Sequence, residues 1–509
     1  MSDWLKDGVI YQIYPVSFFD SNGDGIGDLR GITQKLDYVK DLGANIVWLS
    51  PIYKSPFQDG GYDVEDYRAI DPRFGTMADF EEMLSAMHAK GIRLLMDLVI
   101  GHTAMSHEWF VQSQKKEKNA YSDYYIWTNG EKPNGYYDCG AERGGAYLPN
   151  YFPHQPKLNY GFARVDGSPW QMRYDDKRLE PLKEEIRNMM RFWLDKGVDG
   201  FRVDLAMNMI KCGDEKNAKW FWDKMIPPIK AEYPNCRFLA EFGRPEVSWV
   251  CGFDIDYFTH ETPGYNELFR FEKGTNIDPA FEKGFTYFAN AGKGSKRPFE
   301  EYVNRLFEAF GEDKLFSIPS GYHDIVRTAE QKSVALLKCV FAFLCTYKCV
   351  PQIYYGDEIG MKHDFSVDKD GGGIRTGART PMQWTEGEQR GFTSSFNAYL
   401  PVGNQAGVSV EAQEKDEYSL LNTVKKLLAL RKEYPVLGAG GSVRMDEREY
   451  PLGYTREDGT HKAKVYINPT ADTYEVEKEG KIVYGEGCIV EKNKIVLPKE
   501  SFVILVVND

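Results

Sequence analysis

The sequence predicts an α/β fold: a (β/α)8 TIM barrel with an irregular insertion after strand 3 and a C-terminal antiparallel β domain. Three observations carry that prediction. A helically spaced apolar run, a glycine and a short β-rich run recur in this order along the chain. Eight β-rich runs can be counted, as a closed barrel of parallel strands requires. Two segments break the rhythm, one before the fourth strand and one at the end of the chain.

Taken in order, VIYQIYP supplies the first strand. Residues 32–50, ITQKLDYVKDLGANIVWLS, set Ile32, Leu36, Val39 and Leu42 on one helical face, stop at Gly43 and run into the second strand. Residues 80–100, FEEMLSAMHAKGIRLLMDLVI, repeat the plan with Phe80, Met83, Leu84 and Met87 on the apolar face and Gly91 as the stop. Residues 186–205 repeat it again, through Gly197 into a strand containing GFRVD. CRFLAEF, FDIDYFTH, LFSIPS and VPQIYYG complete the eight. Between His102 and Asp175 a stretch rich in Tyr, Asn and Gly lacks helical periodicity, the mark of an irregular insertion. From Tyr434 onward the short alternating runs KAKVYIN, TYEVEKE, GCIVEKNKIVLP and SFVILVV predict a small antiparallel β domain. The expected boundaries are 1–102 and 176–433 for the barrel, 103–175 for the insertion and 434–509 for the β domain.

Composition narrows the function. At 509 residues, 42% hydrophobic and 14% aromatic, the chain has the material for a large core divided among two or three domains. A net charge of -13 disfavours nucleic acid and anionic membranes as partners. No apolar run is long enough to span a bilayer, and the start, MSDWLKDGVIYQIYP, lacks the basic and apolar regions of a signal peptide. Eight cysteines occur without CxxC spacing, and Cys339, Cys345 and Cys349 lie in an apolar stretch that suits reduced core thiols. The expectation is a soluble cytoplasmic protein.

The chemistry lies at the strand ends. Residues i and i+2 of a strand share a face, so Arg202 and Asp204 point together, and in a barrel they point inward near the C-terminal mouth. Burying such charges is costly unless they pair, and an adjacent arginine keeps an aspartate ionised. Asp97 and His102 close the third strand, Glu241 the fifth, and His323 with Asp324 the seventh. Carboxylates from four strands therefore converge on one mouth, which would destabilise a purely structural core. Glycoside hydrolysis needs such a set: one carboxylate attacks the anomeric carbon while a second group protonates the leaving oxygen. Asp204 is suited to be the nucleophile. Glu241 has no basic neighbour closer in sequence than Arg244, so a raised pKa and the acid/base role are expected of it.

The order of these motifs resembles the α-amylase superfamily of retaining glycoside hydrolases (glycoside hydrolase family 13), and within it the oligo-1,6-glucosidase, dextran glucosidase and α-glucosidase branch. The resemblance runs from VIYQIYPVSFFDSNGDGIGDL through GGYDVEDYRAID and FGTMADFEEML to GDEIGM and ARTPMQW. It implies Asp204 as nucleophile, Glu241 as acid/base and Asp324 as the carboxylate that fixes sugar hydroxyls in the transition state. It also implies His102, Arg202 and His323 as sugar ligands, Tyr62 as a stacking platform, and Asp63 with Arg379 as the pair that grips the non-reducing end. Gly101 and Tyr322 stand where the family usually has Asn, and QPKLN puts Lys157 where the oligo-1,6-glucosidase branch prefers Asp. Leu205, after the nucleophile, matches neither residue type associated with α-1,6 or α-1,4 preference.

One further loop is singled out. DSNGDGIGD, Asp20 to Asp28, opens like an EF-hand with oxygens at positions 1, 3, 5 and 9 and glycine at 6. Its twelfth position is Gly31, which rejects an EF-hand but keeps a structural Ca2+ site built from Asp20, Asn22, Asp24, the Ile26 carbonyl and Asp28. The expected activity is exo-acting hydrolysis of terminal α-linked glucose from short oligosaccharides by double displacement. An α-glucosyltransferase or a sucrose- or trehalose-type isomerase using the same glycosyl-enzyme is the alternative. A non-catalytic carbohydrate-binding relative is a third reading, disfavoured because all three acids are present.

Overall fold

The computed structural model describes residues 4–507. Eight parallel strands close a barrel in sequence order: β1 (Ile10–Ile13), β2 (Ile46–Leu49), β3 (Arg93–Leu98), β4 (Gly200–Val203), β5 (Arg237–Ala240), β6 (Ile255–Tyr257), β7 (Leu315–Pro319) and β8 (Val350–Tyr354). Each falls on one of the β-rich runs read from the sequence. Every residue of β1, β2, β4, β6, β7 and β8 is buried, as a barrel walled by its own helices requires. At Gly200 a Cβ would lie 2.0 Å from the Arg237 carbonyl, so glycine lets β5 approach β4 where the charged pair begins.

The helices between the strands follow the glycine stops. Gly43, at φ 105°, caps the helix Leu36–Leu42. The helix expected over 32–42 is, however, two helices, Leu29–Gln34 and Leu36–Leu42, divided at Lys35. Asp28 caps the first by accepting from Gly31 N–H, and the Lys35 ammonium lies over the rings of Phe19 and Trp384 at 4.1 and 4.3 Å. Thr76 and Asp79 form a capping box on Met77–Ala89.

After β3 the chain enters a long segment held largely by isolated bridges, including His102 with Lys157 and Tyr125 with Leu158. One short helix, Glu108–Ser113, interrupts the irregularity expected there. Beyond the barrel, five antiparallel strands form one sheet, Ser442–Met445, Leu452–Glu457, Lys462–Asn468, Ser501–Val507 and Lys481–Glu486, and three shorter strands form another. Among the described residues no helix is long and apolar enough to cross a membrane, and all eight cysteines are free thiols.

Candidate active site

The two charges of GFRVD meet a third across the strand pairing. Asp97 of β3 lies in register with Arg202 of β4, and the Arg202 Nη1 stands 2.7 Å from Asp97 Oδ1 and 3.0 Å from Asp204 Oδ1. Its other terminal nitrogen, Nη2, lies 2.6 Å from Glu241 Oε2 and donates to the Tyr257 hydroxyl at 2.9 Å. One guanidinium, fully buried, thus binds three carboxylates from three strands. This corrects the expectation that Glu241 lacks a basic neighbour: Arg202 is 39 positions away in sequence but belongs to the adjacent strand.

Glu241 is held from two further directions. Tyr257 donates to its Oε1 at 2.9 Å and the Leu205 N–H to its Oε2 at 2.9 Å. Leu205 has φ 42° and ψ 43°, a left-handed conformation that costs a leucine about 1–2 kcal/mol. The strained residue directly after Asp204 therefore aims a backbone donor at the second carboxylate, which ties the two acids to one turn. Burial, with the charges of Glu241, Asp97 and Asp324, pushes the Asp204 carboxyl well above the usual range, against the pull of Arg202.

Asp324 sits in the opposite electrostatic setting. Its Oδ1 meets Arg375 Nη1 at 3.0 Å and Arg379 Nη2 at 2.8 Å, and its Oδ2 meets His323 Nε2 at 3.1 Å. Burial alone would raise it, yet His323, Arg375 and Arg379 together hold its carboxyl well below the ordinary value. Tyr62 lies parallel to the His323 ring, 4.9 Å between centroids, and donates to Asp97 Oδ2 at 2.8 Å. His102 contacts the Tyr62 carbonyl at 2.8 Å, and burial lowers its pKa to about 4, leaving it neutral.

Asp63 lies elsewhere. It is fully buried, and it accepts from Ser55 Oγ, Gln58 N–H and Asp59 N–H at 2.9, 2.8 and 3.3 Å. It does not line the cavity at the barrel mouth, where a grip on the sugar's non-reducing end was expected of it, and no ion pair joins it to Arg379. Within its motif the carboxylate that pairs with an arginine is Asp59, whose Oδ1 is 3.3 Å from Arg375 Nη2 and whose Oδ2 accepts from Gln155 at 2.8 Å. Asp59 and Arg375 each precede the chosen residue by four positions, within the same motifs, QDGGYD and IRTGAR. Motif spacing names the motif but does not reveal which of its two charges faces inward. Sequence reasoning also misses Tyr257 and Asn150, a hydrogen-bond partner of His102: Asn150 has no charged neighbour to mark it, and in DIDY the aspartates rather than Tyr257 carry the signal.

Part of this set lines a cavity of about 550 Å³ at the barrel mouth, within the range of small-molecule sites, while Asp63, Arg202 and Arg379, expected as sugar ligands, are not among its lining groups. Tyr62, His102, Asp204, Glu241, His323 and Asp324 all reach it. Asp59 and Arg375 are charged groups on its wall, while Tyr151, Met207, Phe242 and Phe281 give the remaining lining an apolar side. The arrangement offers two carboxylates on one guanidinium, a third held ionised by basic groups, and an aromatic floor.

The loop Asp20–Asp28 is curled by its own hydrogen bonds. Asp20 accepts from the N–H groups of Asn22, Gly23 and Gly25, Asn22 from Asp24, Asp24 from Ile26, and Asp28 from Ser21. Among the described residues no three His, Cys, Asp or Glu side chains are grouped to hold a metal ion.

With this geometry in hand, comparison with known proteins is informative. Residues 12–440 match the family model of the alpha amylase catalytic domain. The oligo-1,6-glucosidase of Parageobacillus thermoglucosidasius is 34% identical over 549 aligned positions, covering 94% of this chain and 93% of that protein. The trehalose synthase/amylase TreS of Mycolicibacterium smegmatis is 30% identical, covering 91% of this chain and 83% of that protein. Among solved structures, an isomaltulose synthase from Erwinia rhapontici NX5 in complex with D-glucose superposes with a TM-score of 0.83 at 26% identity, with both chains fully covered.

Proposed function

Since the chain belongs to the alpha-amylase family and is a glycoside hydrolase, we propose that it is a retaining, exo-acting α-glucosidase that releases terminal α-linked glucose from short oligosaccharides. The observation that carries this reading is the shared guanidinium. Asp204 and Glu241 sit on the two terminal nitrogens of Arg202, and Glu241 also accepts from the residue after Asp204. Double displacement needs two carboxyl groups about 5–5.5 Å apart, and a common fork is a direct way to hold them close.

In this reading Asp204 attacks the anomeric carbon as Glu241 gives its proton to the leaving oxygen, and a glucosyl ester forms on Asp204. Glu241 then takes a proton from water, which breaks that ester and restores both groups. Asp324, kept ionised by His323, Arg375 and Arg379, accepts from ring hydroxyls. Tyr62 stacks on the sugar face, and the Asp59–Arg375 ion pair closes the far end so that only a chain terminus fits. Replacing Asp204 with Asn should abolish glucose release from isomaltose, maltose and nitrophenyl α-glucoside; retained turnover would refute the assignment.

A second reading is favoured by the apolar side of the cavity and by the transfer enzymes among the structural neighbours. There a sugar acceptor, in place of water, takes the glucosyl group from Asp204. Chromatography of products from sucrose, trehalose and maltose separates the two, since transfer products in excess of free glucose identify a transferase. A cytoplasmic location is part of the same proposal, supported by eight cysteines that are all free thiols.

The loop Asp20–Asp28 is assigned a structural calcium in the same proposal, because its donor set is entirely hard oxygen. The ion would brace the turn after β1, and no catalytic step passes through it. Chelation should lower the melting temperature; unchanged melting together with no metal by elemental analysis would remove the ion from the account.

A further inference from the structure

Lys157 is buried behind the cavity lining, where its partners include Asn208 and, through Asn150, His102, and among the described residues no carboxylate forms an ion pair with it. Its Nζ donates to Asn150 Oδ1 at 3.0 Å and to the Asn208 carbonyl at 2.8 Å. Burial pushes its ammonium down to about 7, with Lys211 acting in the same direction.

The partners of this lysine follow one another by necessity. Below a pH of about 7 Lys157 is an ammonium, which only donates, so the Asn150 amide turns its oxygen to Lys157 and its NH2 away. That NH2 meets His102 Nδ1 at 2.9 Å, which makes Nδ1 an acceptor and places the ring proton on Nε2. Nε2 in turn faces the Tyr62 carbonyl at 2.8 Å, a group that can only accept. The direction of donation is thus fixed from Lys157 to Tyr62, with no mismatched pair. Tyr62 at the end of the line lies against His323 and donates to Asp97. Space for the line comes from Gly101, where a Cβ would stand 3.1 Å from Asn150 Nδ2. Its backbone is outside the left-handed region, so room for Asn150 is the need that the missing side chain meets.

We propose that Lys157 and Asn150 are positioning residues that lock His102 as the neutral Nε2–H tautomer and so hold the Tyr62 platform in place. The hydrogen-bond line stands on geometry alone; its effect on sugar binding rests on the glucosidase reading above. The Asn208 carbonyl extends the same anchor to the loop that follows Asp204, so one side chain ties the insertion to two strand ends.

The test uses the full chain with 15N-labelled histidine and long-range 1H–15N spectra, which report tautomer and titration without turnover. In the wild type His102 should show the Nε2–H pattern and stay neutral down to about pH 5, since burial, with the fields of Lys157 and His154, the charged or titratable groups that reach it, lowers it to about 4. Asn150→Asp replaces a donor with an acceptor, so Nδ1 must gain a proton while Nε2 still donates to Tyr62, and the His102 titration should rise by more than about one unit. Asn150 is half-buried, so this change leaves the core intact. Lys157→Met frees the amide to flip and should mix the two tautomers. The same variant should raise KM for nitrophenyl α-glucoside about fivefold, the equivalent of one ordinary hydrogen bond, with a smaller change in kcat. An unchanged tautomer and titration in folded Asn150→Asp protein would overturn the proposal. A normal tautomer with an inactive enzyme would instead refute the glucosidase reading and leave this one standing.

Discussion

Replacing Arg202 with methionine removes the single cation that touches Asp97, Asp204 and Glu241 together, at 2.7, 3.0 and 2.6 Å. With charge centres ~4 Å apart and an effective dielectric of ~20, one such contact is worth about 4 kcal/mol. At about 1.4 kcal/mol per pKa unit the ceiling on any one carboxyl is about 3 units, and an adjacent arginine ordinarily accounts for about 1–3. Burial already pushes Asp204 up and Arg202 opposes that push, so removal must move it higher. In the proposed mechanism only ionised Asp204 attacks. The acid limb of kcat/KM against pH, measured with nitrophenyl α-glucoside, should therefore move upward by about one to three units. Activity at pH 6 falls about tenfold for each unit and part of it returns at pH 9. Stability follows the same sign. A carboxyl whose folded pKa is raised stabilises the protein below its unfolded value and loses that contribution as pH rises through the folded one. The variant should consequently lose melting temperature more steeply than the wild type on going from acid to alkaline pH. Because breaking a buried charge network costs about 3–5 kcal/mol, Arg202→Lys, which keeps the charge, serves as a second variant with an intermediate shift. An acid limb that stays within about half a unit in folded protein would refute the electrostatic account.

Two further predictions separate wall from scaffold. Asp59→Asn should raise KM for nitrophenyl α-glucoside at least about tenfold, because Arg375 loses one of its two carboxylate partners on the cavity wall, and should barely change melting; Asp63→Asn should do the reverse, losing about 1–3 kcal/mol in denaturant titration because the N–H groups of Gln58 and Asp59 use different oxygens and one of them then faces an NH2. Kinetics and melts of the pair, side by side, decide between them. Asp256 accepts from the N–H groups of Phe242, Gly243 and Arg244, the three residues after Glu241. Asp256→Asn sets an NH2 against one of those donors and should lower kcat more than KM, which steady-state kinetics reads directly.

What the sequence made legible was local. A strand in a parallel barrel is buried on both faces, so IVWL stands out as a continuous apolar run, and a glycine after a helix marks the strand that follows. All eight strands could be found this way because each signal lies within about a dozen residues. The division at Lys35 could not, since the contact its ammonium makes there includes Trp384, which is distant in sequence. The short helix Glu108–Ser113 was hidden for another reason: six residues are too few for a period to show.

The site was legible in its residue types and illegible in its partnerships. Arg202 appeared to belong to Asp204 because two positions separate them, yet its shortest contact is to Glu241 on the next strand. A raised Glu241 had been expected from the absence of basic residues nearby in sequence, and pairing across β4 and β5 removes that premise. The contrast that does emerge lies between Asp204 and Asp324. Asp324 answers to two arginines and a histidine and is driven well below the ordinary carboxylate range. Asp204 competes with two other carboxylates for one guanidinium and is driven above it. A protein that needed only a stable core would distribute its cations evenly, because every under-compensated buried charge costs stability. The uneven distribution leaves a proton to be shared where Arg202 is outnumbered and a fixed negative charge where Arg375 and Arg379 converge. Acid–base chemistry at one end of a sugar ring and firm binding at the other require that asymmetry.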